Sequence, residues 1–361
     1  MERKWRVAVV GATGMVGQRF VSLLADHPWF EIAVVAASAR SAGKTYEEAV
    51  ADRWAFDWPI PQNIRPLIVR DASDVEGVTS DVDFVFCAVD MKKDEIRALE
   101  DAYARSETPV VSNNSAHRGT PDVPMIVPEL NPQHADIIEY QRKRLGTKVG
   151  FVTVKPNCSI QSYVPALTAL YDLKPTRVVV STYQAISGAG KTFKRWPEMI
   201  DNVIPYIGGE EEKSEQEPLK IWGHIENGVI VPAKSPIISA HCVRVAVADG
   251  HLATCWASFE KPATKEEIIE RWRSFEGLPQ KMNLPSAPHP FLQYFEEDNR
   301  PQTHLDRDFE HGMGISLGRL RGDSLFDWRF VGLSHNTLRG AAGGAVLIAE
   351  LLCAQGYIPK K

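Results

Sequence analysis

The feature that most constrains the fold is a glycine-rich turn between an apolar run and a helix-like segment. The run Trp5–Val10 has the sequence WRVAVV, and residues 11–17 follow it with the sequence GATGMVG before a helix-like QRFVSLL. Glycines at the first, fourth and seventh positions allow a tight turn and a close approach by another group. A strand, a glycine turn and a helix in this order predict the first half of a βαβ unit.

Apolar runs alternate with helix-like segments in the first part of the chain. The runs typical of buried parallel strands are residues 32–37, 83–88, 110–112 and 152–154. A helix-like segment, residues 92–105, lies between two of these runs. This alternation predicts an α/β fold with a Rossmann-type, doubly wound parallel sheet.

The pattern changes in the second part of the chain. The runs at residues 177–183, 239–247 and 253–259 are longer and rich in β-branched side chains, and no regular helix separates each pair. They predict a second, α+β domain with a mixed, largely antiparallel sheet.

Length and pattern together predict two domains. A chain of 361 residues is long for a single hydrophobic core. We predict a nucleotide-binding Rossmann domain over residues 1–157 and a catalytic domain over residues 158–335. The tail, residues 336–361, is rich in small and apolar residues. It suits a helix that returns to complete the first domain.

The glycine turn predicts a dinucleotide site. Free backbone amides at a helix N-terminus, together with the helix dipole, attract a pyrophosphate. The residues expected to contact the cofactor here are Gly11, Thr13, Gly14, Met15 and Val16. The spacing is GxxGxxG rather than the usual GxGxxG, so a tight turn that binds nothing is the alternative.

The end of the second predicted strand indicates which dinucleotide binds. NAD-binding proteins usually place a carboxylate there to bind the ribose hydroxyls. This chain instead has Ser38, Arg40 and Ser41, with Lys44 close behind. Hydroxyl and cationic groups can hold a 2′-phosphate by charge-assisted hydrogen bonds, which favours NADP. The alternative is a solvated loop that contains Arg40 and Lys44.

Cys158 is the candidate nucleophile. It lies between a predicted strand and a helix-like stretch from Gln161, in the polar, turn-forming sequence Pro-Asn-Cys-Ser. A helix N-terminus stabilises a thiolate, and its free amides can serve as an oxyanion hole. Core packing, the usual role of a cysteine, suits Cys87 and Cys353, which lie in apolar runs.

A reactive cysteine needs a group that exchanges protons. His251 follows Gly250 in a predicted turn between two strands, and a histidine titrates near neutral pH. By spacing alone, His117, His241 and His335 are rivals for this role.

Composition argues against several classes of function. The net charge is −5, so no basic field exists to attract nucleic acid or an anionic membrane. No apolar run is long enough to cross a bilayer, and the first residues do not resemble a signal peptide. The five cysteines are scattered and no His/Cys cluster has zinc spacing, so we expect no metal site. These features predict a cytoplasmic protein without nucleic-acid or membrane partners.

Five motifs in order resemble the aspartate-β-semialdehyde dehydrogenase family, in particular its fungal and archaeal branch. GATGMVGQRF resembles the cofactor turn of that family, and SNNSAHRGTPDVPMIVPELNP resembles its phosphate-binding segment. KPNCSIQ resembles the nucleophile motif, TYQAISGAGK the strand and loop that follow, and CVRVAVADGH the base motif. The resemblance covers essentially the whole chain.

The resemblance implies a role for each motif residue. Cys158 would be the nucleophile and His251 the acid–base group. The other implied roles are Asn157 and Gln184 as groups that position the thioester, Arg244 and Glu210 as ligands of the substrate α-carboxylate and α-ammonium, Arg118, Asn114 and Lys213 as phosphate ligands, and Ser187, Gly188 and Asn336 as neighbours of the cofactor.

For two pairs of these residues, the implied roles require a particular geometry. Arg244 and His251 are seven residues apart, so the chain must turn near Gly250 if both side chains are to face one site. Glu210 and Lys213 are three residues apart, which makes them neighbours on a helix. An exposed ion pair on a charged segment is the alternative for Glu210 and Lys213.

The resemblance also implies the reaction and the partners. The reaction is the NADPH-dependent reduction of L-aspartyl-4-phosphate to L-aspartate-4-semialdehyde and phosphate through a cysteine thioester. It belongs to the biosynthesis of threonine, methionine and isoleucine, and of lysine where that route exists. The partners are a small-molecule substrate and inorganic phosphate. Family members are homodimers or homotetramers whose interface is formed by the second domain.

Other proteins of similar plan are the alternatives. N-acetyl-glutamyl-phosphate reductase has a different nucleophile motif, and the Ser-Cys-Thr-Thr-Asn motif of glyceraldehyde-phosphate dehydrogenase is absent from the sequence. Malonyl-CoA reductase is the nearest rival, because some archaeal forms resemble this family throughout. Asn157 and Arg244 favour the aspartyl substrate. A non-catalytic NADP-binding protein is a further alternative, against which the set Cys158, His251 and Arg244 argues.

Overall fold

The computed structural model describes residues 3–361, which form two large β-sheets with helices around them. The strands are β1 (Trp5–Val10), β2 (Phe30–Ala37), β3 (Val69–Asp71), β4 (Phe84–Cys87), β5 (Val110–Ser112), β6 (Val152–Val154), β7 (Pro175–Gln184), β8 (Val203–Ile204), β9 (His224–Glu226), β10 (Val229–Val231), β11 (Ile237–Val245), β12 (His251–Phe259), β13 (Leu292–Phe295), β14 (Ile315–Gly322) and β15 (Trp328–Ser334). The α-helices are α1 (Met15–Leu24), α2 (Tyr46–Val50), α3 (Val75–Thr79), α4 (Lys93–Arg105), α5 (Ile138–Leu145), α6 (Val164–Thr168), α7 (Glu210–Ile221), α8 (Lys265–Arg273), α9 (Leu278–Lys281), α10 (Thr303–Asp306) and α11 (Ala342–Ala354).

The first sheet is the doubly wound sheet that the sequence predicts. Its strands are all parallel and have the order β3-β2-β1-β4-β5-β6. The strand order reverses between β1 and β4, and their carboxyl ends open the crevice where such sheets bind ligands. Gly11 ends β1 there with φ +84°, and a side chain on it would lie 2.2 Å from the carbonyl oxygen of Ala88. Glycine is therefore required where β1 turns into α1.

The second sheet is mixed and largely antiparallel, as the sequence predicts. Its order is β13-β14-β15-β12-β7-β11-β8. The pairs β13–β14 and β7–β11 are parallel, and the other pairs are antiparallel. In β7 the buried residues Val178, Val180 and Thr182 alternate with more exposed ones such as Val179. This alternation gives the sheet a buried inner face and a more open outer face.

Two predicted helices are shorter in the structure. The stretch after Cys158 is divided into a single 3-10 turn, Ser159–Ser162, and the short α6. Pro165 lies in the first turn of α6, and a proline has no N–H with which to continue the helix of the preceding turn. In the tail, α11 begins only at Ala342, because residues 335–341 form turns that include the hydrogen bond from the Gly340 N–H to the carbonyl oxygen of His335.

Two clusters of buried apolar side chains connect the sheets and helices. One cluster joins the first sheet to α1 and α11, and contains Val9, Phe20 and Ala345. The other runs from the opposite face of the first sheet to the inner face of the second sheet, and contains Val85 and Val180. The helix α11 therefore packs on the first sheet although it follows the second sheet in sequence. The exact boundaries of the two domains stay a prediction.

A buried ion pair joins three distant segments. Arg339 is 1% exposed, and its Nη1 and Nη2 donate to the two carboxylate oxygens of Glu129 at 2.7 and 2.5 Å. Its Nε donates to Oε1 of Gln161 at 3.1 Å, and its guanidinium carbon lies 4.7 Å from the ring centroid of Phe291. The tail, the motif at residues 112–132 and the turn after Cys158 thus meet at one bidentate guanidinium.

We predict that Arg339→Met lowers the free energy of unfolding by about 3–5 kcal/mol, because removing one partner leaves the Glu129 carboxylate buried without its counter-charge. The control is Arg273→Met, which breaks the exposed pair with Glu296 at 2.8 Å and should cost less than about 1 kcal/mol. Urea unfolding followed by circular dichroism, at one protein concentration, measures both. Equal losses in the two variants would contradict the structural role of Arg339.

Candidate active site

Cys158 lies in a tight turn between β6 and the 3-10 turn Ser159–Ser162. The turn is fixed by Asn157, whose Oδ1 accepts hydrogen bonds from the N–H and the hydroxyl of Ser159 at 2.8 and 2.7 Å. Cys158 is partly buried. A side chain at Gly340 would lie 2.8 Å from the Cβ of Cys158, so the tail packs directly against the candidate nucleophile.

Opposing charges surround the thiol of Cys158. Burial raises the pKa of this thiol, and the Glu210 carboxylate raises it further. The cations Lys155, Arg118 and Arg244 lower it. The sequence predicts a thiolate stabilised by a helix N-terminus, but a single 3-10 turn follows Cys158. In the structure, three cations rather than a long helix oppose this rise, and the pKa of the thiol stays above its ordinary value.

The ends of three adjacent strands bring Arg244, Gln184 and His251 together. Arg244 of β11 pairs with Gln184 at the end of β7, and β12 begins at His251 on the other side of β7. Residues 246–250 cross the end of β7, so the chain turns between Arg244 and His251 as their spacing requires. Arg244 Nη1 donates to the Ala185 carbonyl oxygen at 2.7 Å, and the Ala185 N–H donates to His251 Nδ1 at 3.1 Å. Ala185 thus holds both side chains.

The imidazole of His251 is neutral. Burial lowers the pKa of His251 to about 3, and the charge of Arg244 contributes to the shift. Since Nδ1 accepts the Ala185 N–H, the single ring hydrogen lies on Nε2. Nε2 is buried and has no partner among residues 3–361, and a side chain at Gly188 would lie 3.0 Å from it. This N–H is therefore free to meet an oxygen of a bound molecule.

Helix α7 adds Glu210 and Lys213 to the site. Glu210 accepts hydrogen bonds from Asn157 Nδ2 at 3.0 and 2.9 Å, from Gln184 Nε2 at 3.3 Å and from Lys213 Nζ at 2.7 Å. Burial by itself would raise the pKa of Glu210, but Lys213 and these hydrogen bonds bring the pKa below its ordinary value. The pair is part of this buried network rather than the exposed ion pair of the alternative.

A cavity of about 690 Å³ lies beside this network and is lined by Arg118 and Lys213. Both cations can therefore meet an anion there. Asn114 does not line this cavity. Its Nδ2 donates to Glu100 Oε1 at 2.9 Å and to Cys87 Sγ at 3.4 Å, so its donor hydrogens are directed into the protein.

A second cavity of about 620 Å³ lies at the carboxyl ends of β1 and β4. Five residues predicted for the cofactor or its surroundings line it: Thr13, Gly14, Met15, Val16 and Gly188. Asn114 lines it as well. Gly14 precedes α1 without a side-chain cap, so the first backbone amides of this helix are available to an anion. Gly11, the first residue of the glycine turn, does not line this cavity and contributes through the shape of the turn.

The remaining cofactor predictions fall into two groups. Ser38 and Arg40 are exposed just beyond β2, and the buried Ser41 donates its N–H to the Ser38 carbonyl oxygen at 2.8 Å. These three residues lie outside the cavity. Ser187 lines an adjoining cavity of about 220 Å³ and accepts a hydrogen bond from Asn336 Nδ2 at 2.9 Å. Asn336 Oδ1 in turn accepts the N–H of Gly250 at 2.8 Å.

Several residues of the two cavities are not found by sequence reasoning. Arg53 and Arg195 line the cofactor cavity, but they lie in irregular segments without a motif. Lys155 is buried beside Cys158, and burial lowers its pKa to about 7. Glu217 lines the other cavity. Its spacing from Glu210 and Lys213, seven and four residues, is a signal that could have found it.

Metal binding and membrane insertion would each require a distinct feature within residues 3–361. No group of three or more His, Cys, Asp or Glu side chains there is arranged to hold a metal ion. No helix there has the length and apolar character needed to span a membrane.

Comparison with known proteins matches the chain to two family models. Residues 6–138 match the semialdehyde dehydrogenase NAD binding domain, and residues 167–339 match the semialdehyde dehydrogenase dimerisation domain. The aspartate-semialdehyde dehydrogenase of Methanothermobacter thermautotrophicus is 43% identical over 96% of this chain and 98% of that protein. That of Aspergillus fumigatus is 41% identical over 98% of this chain and 99% of that protein. The crystal structure of the Candida albicans enzyme with NADP has a TM-score of 0.88 at 36% identity, and covers 99% of this chain and 100% of that one.

We predict that the His251 ring stays neutral, with its hydrogen on Nε2, from pH 8 down to pH 5. The reason is the lowered pKa of about 3, which leaves the neutral form dominant at every pH well above it. Nitrogen-15 NMR of histidine-labelled protein measures the two ring nitrogens, and His251→Gln identifies the signal by its loss. A ring that gains a proton between pH 8 and pH 5 would overturn the assignment.

Proposed function

The chain belongs to the semialdehyde dehydrogenase family, and we propose how the residues of its candidate site perform the reaction. The reaction is the NADPH-dependent reduction of L-aspartyl-4-phosphate to L-aspartate-4-semialdehyde and phosphate. The residue assignments rest on one observation, which is that these side chains meet in a single hydrogen-bonded group. Glu210 accepts from both Gln184 and Asn157, the neighbour of Cys158. Ala185 contacts both Arg244 and His251.

NADP is the cofactor, and the chain has the groups that fit it. The cavity beside the glycine turn combines uncapped amides of α1 with the cations Arg53 and Arg195, which suit a pyrophosphate. Ser38 and Arg40, exposed at the end of β2, would hold the 2′-phosphate. The bound nicotinamide supplies the hydride that takes the thioester to the aldehyde. Gly188, Ser187 and Asn336 would form the wall beside its ring.

The substrate is held by charges at both of its ends. The Arg244 guanidinium, fixed by Ala185, has further N–H groups for the α-carboxylate, and Glu210 can accept from the α-ammonium. Arg118 and Lys213 bind the phosphoryl group in the adjacent cavity. With both ends held, the acyl carbon lies next to Cys158, which removes most of the entropic cost of the encounter.

Cys158 then takes the acyl group from phosphate onto its sulfur. Its sulfur bonds to that carbon while the carbon–oxygen bond to phosphate breaks, which leaves a thioester and free phosphate. The nearby cations Lys155, Arg118 and Arg244 favour the thiolate that attacks. When the aldehyde forms, the carbon–sulfur bond breaks and its electron pair stays on sulfur, which regenerates the thiolate.

His251 acts on the carbonyl oxygen. Its neutral ring presents the Nε2 hydrogen to the site, and a hydrogen bond from it stabilises the negative charge that develops on that oxygen. The acid–base role that the family resemblance implies stays a prediction, because Nδ1 is already an acceptor for Ala185.

The chain is a subunit of an oligomer, as the match to a dimerisation domain indicates. We propose a homodimer or homotetramer that uses the outer face of the second sheet. Val179 and Ile237 on this face are 37% and 73% exposed, and Val203 of the edge strand β8 is 59% exposed. Exposed apolar side chains spread over one face of an open sheet favour burial against a second copy. A cytoplasmic location stays a prediction.

The experiment that tests the function follows NADP reduction with aspartate-4-semialdehyde, with and without phosphate. Turnover that depends on phosphate supports acyl transfer from a thioester to phosphate. Malonyl-CoA with NADPH, assayed in parallel, tests the nearest rival. Faster reaction with malonyl-CoA would replace the aspartyl substrate by a coenzyme A thioester.

We predict that Arg244→Lys lowers kcat/KM for aspartate-4-semialdehyde by roughly 30- to 1000-fold, or about 2–4 kcal/mol of transition-state stabilisation. Lysine keeps the charge but loses the planar fork that can hold a carboxylate in two hydrogen bonds. NADP affinity and melting temperature should be unchanged, and the exposed Arg273→Lys serves as the control. An unchanged kcat/KM would remove Arg244 from substrate binding.

A further inference from the structure

Glu217 is a buried carboxylate to which the proposed reaction gives no role. It is 7% exposed and lies on the face of α7 that carries Glu210 and Lys213. It lines the cavity of Arg118 and Lys213. A buried carboxylate needs partners that compensate its charge, so its contacts indicate what it does.

Both oxygens of Glu217 contact groups of the proposed machinery. Oε1 accepts a hydrogen bond from Nη1 of Arg118 at 3.0 Å. Oε2 accepts one from the backbone N–H of Asn157 at 2.5 Å. One carboxylate therefore bridges the guanidinium that would bind phosphate and the peptide next to the nucleophile Cys158.

The remaining hydrogens of Arg118 define the anion subsite. Nε donates to the Lys155 carbonyl oxygen at 2.9 Å, and Nη2 donates to the Asn113 carbonyl oxygen at 3.4 Å. With the bond to Glu217, three of the five N–H groups of a guanidinium are used. One hydrogen on Nη1 and one on Nη2 are left for the cavity that Arg118 lines.

The position of Glu217 has two consequences. It fixes the plane of the guanidinium, so that the two remaining hydrogens keep a fixed direction. Its negative charge also lies next to the place of the phosphate and repels it, because the charges are separated by protein rather than by bulk water. The fixed guanidinium favours the binding of phosphate, and the repulsion by Glu217 lowers the affinity for it.

We propose that Glu217 is a positioning residue that fixes the Arg118 guanidinium relative to the turn of Cys158. Its negative charge also weakens the binding of phosphate, so that the leaving group departs after the thioester forms. This inference rests on the proposed function, because it takes the cavity of Arg118 and Lys213 as the phosphate subsite. The chemistry of the anion is that of inorganic phosphate, the product of that step.

The test is isothermal titration of inorganic phosphate into the full-length protein and into Glu217→Gln. Glutamine keeps the side-chain length and an acceptor for the Asn157 N–H, but it removes the charge. We expect phosphate to bind about tenfold more tightly to Glu217→Gln, or about 1.4 kcal/mol. The control is Glu266→Gln, which removes an equal charge from an exposed position of α8 that does not line this cavity and should change the affinity less than twofold.

A second variant and a second readout separate this role from simple stabilisation. Methionine is similar in length to glutamate and has no charge, so Glu217→Met should also bind phosphate more tightly. This variant keeps the test available if Glu217→Gln does not fold. In the assay with aspartate-4-semialdehyde, where phosphate is a substrate, both variants should lower the KM for phosphate. A purely structural role would lower the melting temperature and kcat and leave phosphate affinity equal or weaker.

Equal or weaker phosphate binding in folded variants, or no phosphate binding by the unmodified protein, would overturn the inference. Titration requires no turnover, so it is independent of the assay with aspartate-4-semialdehyde. Failure of that assay with normal titration results would point to another acyl phosphate as the substrate and leave the role of Glu217 standing.

Discussion

The buried guanidinium of Arg339 is the interaction on which the arrangement of the site depends. It binds Glu129 through both Nη atoms and Gln161 through Nε, and it is fully enclosed. Such a group is costly to bury unless every partner is in place, so it specifies one arrangement of the tail, the motif at residues 112–132 and the turn after Cys158. The next residue, Gly340, then packs against Cys158 with no space for a side chain.

Around that fixed turn, the site is built from the ends of regular elements rather than from long loops. The strands β7, β11 and β12 end or begin at Gln184, Arg244 and His251, and α7 begins at Glu210. Side chains on rigid elements hold a catalytic geometry more precisely than side chains on loops. Helix α7 contributes carboxylates that face cations on one side and amides on the other, so they offset part of the positive charge of the site.

Much of this arrangement follows from local sequence patterns. The strand–glycine–helix order predicts the first sheet, and the odd spacing of Arg244 and His251 correctly requires a turn between them. The helix after Cys158 was overestimated because Pro165 interrupts it. Arg339 and Glu129 are 210 residues apart, and no periodicity relates them. Contacts of that kind, like the cations Arg53 and Arg195 in the cofactor cavity, depend on how the sheets pack and cannot be predicted from one segment.

The central claim is that Cys158 carries the acyl group, and mass spectrometry tests it most directly. The protein is mixed with aspartate-4-semialdehyde and NADP in the absence of phosphate, quenched in acid and digested. Without phosphate the thioester is lost only to water or by return of the hydride, so we predict an aspartyl thioester on the peptide that contains Cys158, which disappears on addition of phosphate and is absent from Cys158→Ser. An adduct on another cysteine, or reduction of NADP by Cys158→Ser at the normal rate, would contradict it.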